Sequence, residues 1–148
     1  MDTKTLKELR DKTGASVMMI KRALEEAGDD AARALEVLKR LGHDAAAKKE
    51  ARETRAGKIE AYVHGGGRVG VLVELRSETD FVSRGEEFGR LAREIAMHIA
   101  AMNPQSTEEL LAQPYIRDEQ KTIADLIKNA SASFGEHVEI RQFARFEL

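Results

Sequence analysis

The spacing of apolar residues along this chain changes from helical to alternating and back again. That order of periods limits what it can fold into more than its composition does. Through Gly42 the spacing is helical: Leu6 and Leu9 form one apolar edge, Thr13 and Gly14 interrupt it, and Val17, Ile20, Leu24 and Ala27 recur at helical intervals. Gly28 suits the position just past a helix end and Asp29 the cap of the next helix, whose apolar face is Ala34, Leu35, Leu38 and Leu41. Three helices of this size make a very small bundle. From Gly57 the period is two. Ile59, Ala61 and Val63 alternate with polar neighbours, and "RVGVLVEL" follows a glycine run, which predicts two strands joined as a hairpin.

The helical period returns in "EEFGRLAREIAMHIAAM" through Phe88, Leu91, Ile95 and Ile99, with Pro104 just beyond its end. Ser106 and Glu109 fit a capping box for a short helix to Ala112, and Asp118 is read as opening another through Ile123, Leu126, Ile127 and Ala130. "HVEIRQFARFEL" alternates again and predicts a third strand. Between the two regions, "HDAAAKKEARETRAGK" is charged and without apolar periodicity, which reads as a linker with some helical character. The expected fold is therefore α+β: a three-helix bundle, a charged linker, then a three-stranded antiparallel sheet with helices packed on one face. The expected division is Met1–Arg55 and Ala56–Leu148.

Composition argues against several function classes. The chain has 148 residues and a formal net charge of -2, with no field suited to direct nucleic-acid contact or to a membrane surface. It has no cysteine, so disulfides, zinc thiolate sites and thiol nucleophiles are excluded. The opening "MDTKTLKELRDKTG" is charged, and the longest apolar run, within "VGVLVEL", is too short to span a bilayer. A cytoplasmic protein, or the mature form of an organellar one, is expected. Gly65, Gly67 and Gly70 in "GGGRVG" formally match G-x-G-x-x-G, but a strand follows where the dinucleotide fingerprint needs a helix, so a hairpin turn is the better reading. No G-K-[ST] is present. His43, His64, His98 and His137 are scattered without metal-ligand spacing; His98 is read as a helix residue with one ring nitrogen satisfied. Neither catalytic residues, a metal site nor a cofactor is expected.

Two places hold candidates for binding instead. Met18 and Met19 are adjacent, and adjacent helix residues cannot both face inward, so at least one is exposed; the pair is either core filler or a partner contact. In "SETDFVSRGEEF", Phe81 and Val82 lie where strand alternation has ended and the helix has not begun. One reading is a hydrophobic staple ahead of the helix. With Gly85 as the cap, however, the staple position is Arg84 and Phe81 is too far upstream, which favours an exposed, partner-seeking loop.

"TDFV" at Thr79 to Val82, preceded by "VGVLVEL" and followed by "AMHIAAMNP", resembles the signature core of the elongation factor Ts family. "LRDKTGASVMMIKRALEEAGDDAARALEVLKRLG" is similar to that family's ubiquitin-associated-type (UBA-like) module, and "FARFEL" to its closing strand. The resemblance implies a non-enzymatic guanine-nucleotide exchange factor that grips the GTPase domain of elongation factor Tu. It implies that Asp80 and Phe81, with Thr79 and Val82 beside them, reach toward the partner's nucleotide site and dislodge Mg²⁺. Met18, Met19 and Arg84 stand beside these as further candidates for partner contact. Three departures from the family pattern stand out. The stretch between Pro104 and Gln113 is short, Gly85 stands where asparagine is frequent, and Ala144 stands where some short members have a subunit-linking cysteine, so any homodimer through the sheet is non-covalent. Two alternatives follow from the residues alone: a ubiquitin-type binding adaptor using the "TGAS" loop, and a small nucleotide-binding enzyme using "GGGRVG".

Overall fold

A computed structural model describes residues 2–148, with the backbone alone at residues 43 and 45–47. The chain divides into two compact units, Met1–Lys48 and Lys49–Leu148.

In the first unit, α1 (Thr3–Thr13), α2 (Val17–Glu26) and α3 (Ala31–Glu50) follow one another, and the charged stretch after Gly42 is helical as far as Glu50. Leu9, Ile20, Ala23, Leu24, Ala27, Ala34 and Leu38 form its core. Val17, expected on the same buried face as Ile20, is exposed in the first turn of α2. The cap of α3 also differs from expectation. Asp30, not Asp29, accepts from the Ala32 and Arg33 amides at 2.9 and 3.1 Å. The reason lies in how α2 ends. Gly28 and Asp29 both take positive φ (63° each), the Gly28 amide donates to Glu25 O and the Asp29 amide to Leu24 O, closing a Schellman turn that consumes Asp29.

The second unit contains β1 (Ala56–His64), β2 (Val69–Ser77), α4 (Asp80–Ser83), α5 (Glu86–Met102), α6 (Thr107–Ala112), β3 (Pro114–Tyr115), β4 (Asp118–Thr122), α7 (Ile123–Phe134) and β5 (Glu139–Glu147). The main sheet has the order β1-β2-β5, antiparallel throughout, and β3-β4 is a separate small ribbon. Gly65, Gly66 and Gly67 turn the β1-β2 hairpin with φ of 62°, 69° and 90°, conformations that cost a residue with a Cβ dearly. The glycine run is thus a hairpin turn leading into a strand. Val71, Val73, Leu75 and Ile140 from one sheet face pack with Phe88, Ala92, Ile95, Ala96 and Ile99 of α5. The register sets Ala61 opposite Leu72 and Leu72 opposite Ala144, and on this other face Ile59, Val63, Leu72 and Phe146 are exposed.

Two element expectations need correction. Asp118 does not open a helix: Asp118–Thr122 is strand β4, and α7 begins at Ile123. Thr122 Oγ1 accepts from the Asp125 amide while the Asp125 carboxylate accepts from the Thr122 amide, at 3.1 and 2.9 Å, so the capping box lies four residues further on. The Thr122 amide donating to the Asp125 carboxylate, with the Thr122 hydroxyl beside it, holds the Asp125 pKa below its ordinary value. At α6 the expected box is half formed. Ser106 Oγ accepts from the Glu109 amide at 3.1 Å, but the Glu109 carboxylate turns to the Gln105 amide at 2.9 Å. Among the described residues no helix is long and apolar enough to cross a membrane.

Candidate functional site

The stretch expected to be a loop at Thr79–Arg84 is a single helical turn. Strand β2 ends at Ser77, which is buried and whose hydroxyl donates to Thr79 O at 3.0 Å. Thr79 is extended (φ -125°, ψ 153°) and caps α4, its Oγ1 accepting from the Val82 amide at 3.5 Å. The Ser83 and Arg84 amides donate to Thr79 O and Asp80 O at 3.2 and 3.0 Å. The chain then leaves through Gly85, the cap of α5 as the sequence indicated.

This turn fixes where Phe81 points. Val82 and Ser83 are buried, and Val82 joins the core beneath the sheet. Successive helix residues project about 100° apart, so with Val82 and Ser83 both turned inward Phe81 lies about 150° from their mean direction and points outward. Phe81 is 91% exposed, a value incompatible with a staple against the first turn of α5. Thr79, Asp80 and Arg84 are exposed beside it, so one face carries a hydroxyl, a carboxylate, an aromatic ring and a guanidinium.

Sequence reasoning missed what braces the turn. The Thr79 amide and hydroxyl donate to Oε1 and Oε2 of Glu136 at 3.0 and 2.7 Å, and the His137 amide donates to Glu78 Oε2 at 2.8 Å. Gly135 allows this by taking φ 70° after α7. Nothing in the sequence says that the residue beyond it meets Thr79.

The remaining candidates lie elsewhere. Met18 and Met19 belong to the first unit and Thr79–Arg84 to the second. Met18 is 80% exposed, whereas Met19 packs partly on the first core, so the adjacent pair splits as helix geometry requires. His98 is wholly buried with both ring nitrogens engaged, where one was expected: Nδ1 accepts from the Ile116 amide at 3.4 Å, which leaves Nε2 to donate to Gln113 Oε1 at 2.9 Å. Burial holds its pKa below the ordinary 6.5. His64 pairs with the Tyr62 hydroxyl at 2.8 Å and His137 Nδ1 with Arg52 O at 2.8 Å. The side chain of His43 lies outside the described residues.

Comparison with known proteins gives the family. The family model for Elongation factor TS matches residues 4–109 and 78–148. Elongation factor Ts of Caldanaerobacter subterraneus subsp. tengcongensis is 40% identical over an alignment spanning 99% of this chain and 96% of that protein. Those of Carboxydothermus hydrogenoformans and Rubrobacter xylanophilus are each 39% identical over 97% of this chain, covering 87% and 96% of their own lengths. The alignments run over 188 and 192 positions against a chain of 148 residues, so these relatives carry residues that this chain lacks, in agreement with a shortened form. With a matching family model over nearly the whole chain and full-length relatives at this identity, the chain belongs to the elongation factor Ts family, whose members are translation elongation factors.

Proposed function

We propose that this chain is a guanine-nucleotide exchange factor that binds elongation factor Tu in its GDP-bound and nucleotide-free forms and promotes GDP release by dislodging Mg²⁺. It makes and breaks no covalent bond and uses no cofactor of its own. The observation that carries the reading is Phe81: a fully formed helical turn presents an aromatic ring almost entirely to solvent, with Asp80 next to it. An exposed aromatic on a rigid element is the kind of anchor that dominates interface energy once it fills a pocket. Mg²⁺ demands near-ideal octahedral geometry and bridges the nucleotide's phosphates to the GTPase, so a small displacement of its ligands or ordered waters removes much of the GDP affinity. Phe81 acts as the wedge that moves the partner's helices, and Asp80 as the carboxylate that disturbs the metal's water network. Met18, exposed on the first unit, adds contact area and therefore affinity.

A second copy of this chain is the other partner in the proposal. Ile59, Val63, Leu72 and Phe146 form an exposed apolar sheet face around Ala144, and a patch of that kind marks an association surface.

Linkage supplies the test. If the chain weakens GDP binding by elongation factor Tu, GDP and Mg²⁺ together must weaken the chain's binding by the same factor. Titration calorimetry is expected to show tight binding to nucleotide-free elongation factor Tu and much weaker binding to its GDP-Mg²⁺ form. Equal affinities for the two forms would defeat the exchange mechanism.

A further inference from the structure

We propose that Glu136 is a positioning residue for exchange: its carboxylate holds Thr79 by both of that residue's donors and so fixes the direction in which Phe81 leaves the surface. The inference rests on the reading of Phe81 as the partner wedge. Helix α4 has four residues, too few to hold a helical shape by their own hydrogen bonds. Its direction is set by two pins. The inner pin is Val82, seated in the core.

The outer pin is Thr79. Its amide reaches Glu136 Oε1 at 3.0 Å and its hydroxyl reaches Oε2 at 2.7 Å, so one carboxylate is spent on one residue and both oxygens are directed. By contrast the capping contact inside the turn, from the Val82 amide to Thr79 Oγ1, is long at 3.5 Å. The stronger hold on the threonine hydroxyl therefore comes from 57 residues away, while the Ser77 hydroxyl holds the Thr79 carbonyl at 3.0 Å. Glu136 is in turn tied to the core. It follows α7 directly after Gly135, Phe134 at the end of α7 packs on Phe88 of α5 with ring centroids 6.1 Å apart, and the return bond from the His137 amide to Glu78 keeps the two segments in register. Without Glu136, α4 can pivot about Val82, and the Phe81 ring samples several directions. Each must then be narrowed to one when the ring enters a partner pocket.

The experiment compares the full chain with Glu136→Ala and Glu136→Gln. Fluorescent GDP release from elongation factor Tu is followed over a concentration series, and amide hydrogen exchange is followed at residues 79–85 of the free chain. In Glu136→Ala, exchange at the Ser83 and Arg84 amides is expected to quicken about tenfold or more, since both charge-assisted hydrogen bonds to Thr79 are lost. The plateau rate of GDP release should fall by about the same factor while the half-saturating concentration moves by less than about twofold, since contacts elsewhere are retained. Melting should fall by only a few degrees, so the variant stays folded under the assay. Glu136→Gln should restore most of the rate, because its carbonyl oxygen can take the Thr79 amide and its own amide can donate to the hydroxyl. Wild-type plateau and wild-type amide exchange in Glu136→Ala would overturn the inference. So would a glutamine variant as slow as the alanine one, which would assign the effect to charge rather than to the holding of Thr79. Failure of the wild-type chain to release GDP would instead count against the exchange reading, and amide exchange in the free chain would still decide whether Glu136 braces α4.

Discussion

Two phenylalanines seven positions apart show how little residue type alone decides. Phe88 is wholly buried between the sheet and Phe134, whereas Phe81 is 91% exposed. Truncating the first removes packed atoms and leaves a cavity, so Phe88→Ala should lower stability by about 3–5 kcal/mol. Truncating the second removes a ring that touches mostly water, and Phe81→Ala should change stability by less than about 0.5 kcal/mol. Denaturant unfolding of the two variants checks both values, and GDP release completes the comparison. Phe81→Ala should fold normally and release GDP far more slowly than the wild-type chain. A Phe81→Ala chain that unfolds easily yet exchanges normally whenever folded would return Phe81 to a packing role.

Among the elements, those with a clear apolar period could be read from the sequence, because that period is a direct record of which side faces the core. The buried faces of α2 and α5 and the alternation of β2 are of this kind. The location of Phe81 could also be read, though by elimination: no period claimed it. Strand β4 could not. "DEQKT" has no alternating apolar residues, and what makes it a strand is its pairing with Pro114–Tyr115. The Asp29–Asp30 pair misled for a related reason, since both residues are good caps and the backbone of the preceding turn decides between them. Glu136 left no local trace at all, because its role exists only once α7 and β2 are packed.

The region of α5, α6 and β3 carries a testable consequence of His98. Its folded pKa lies below the ordinary 6.5, so between the two values the unfolded chain binds more protons than the folded one, and stability rises with pH there. Stability due to this group is therefore present above about pH 6.5 and is lost as the pH falls toward the depressed folded value. Urea midpoints measured from about pH 7 to about pH 5 should fall, and His98→Leu should flatten that fall even if the variant is less stable throughout.

At the scale of the whole molecule, the second unit presents two surfaces of different chemistry: a helical turn bearing Asp80 and Phe81, and an apolar sheet face. If the sheet face holds a second copy, a charge at its centre should separate the copies, because Leu72 lies opposite both Ala61 and Ala144 in the register. Sedimentation should give a dimer for the wild-type chain and a monomer for Leu72→Asp, with the fold retained because the residue is half exposed. A monomeric wild-type chain at high concentration would remove the second copy from the proposal and leave the Phe81 turn untouched. That turn is the centre of the account, and its most direct test is the release of fluorescent GDP from elongation factor Tu, followed with and without this chain at excess unlabelled nucleotide. Release should accelerate with chain concentration to a plateau and slow again as Mg²⁺ is raised. Release at the intrinsic rate with the chain in excess would contradict it.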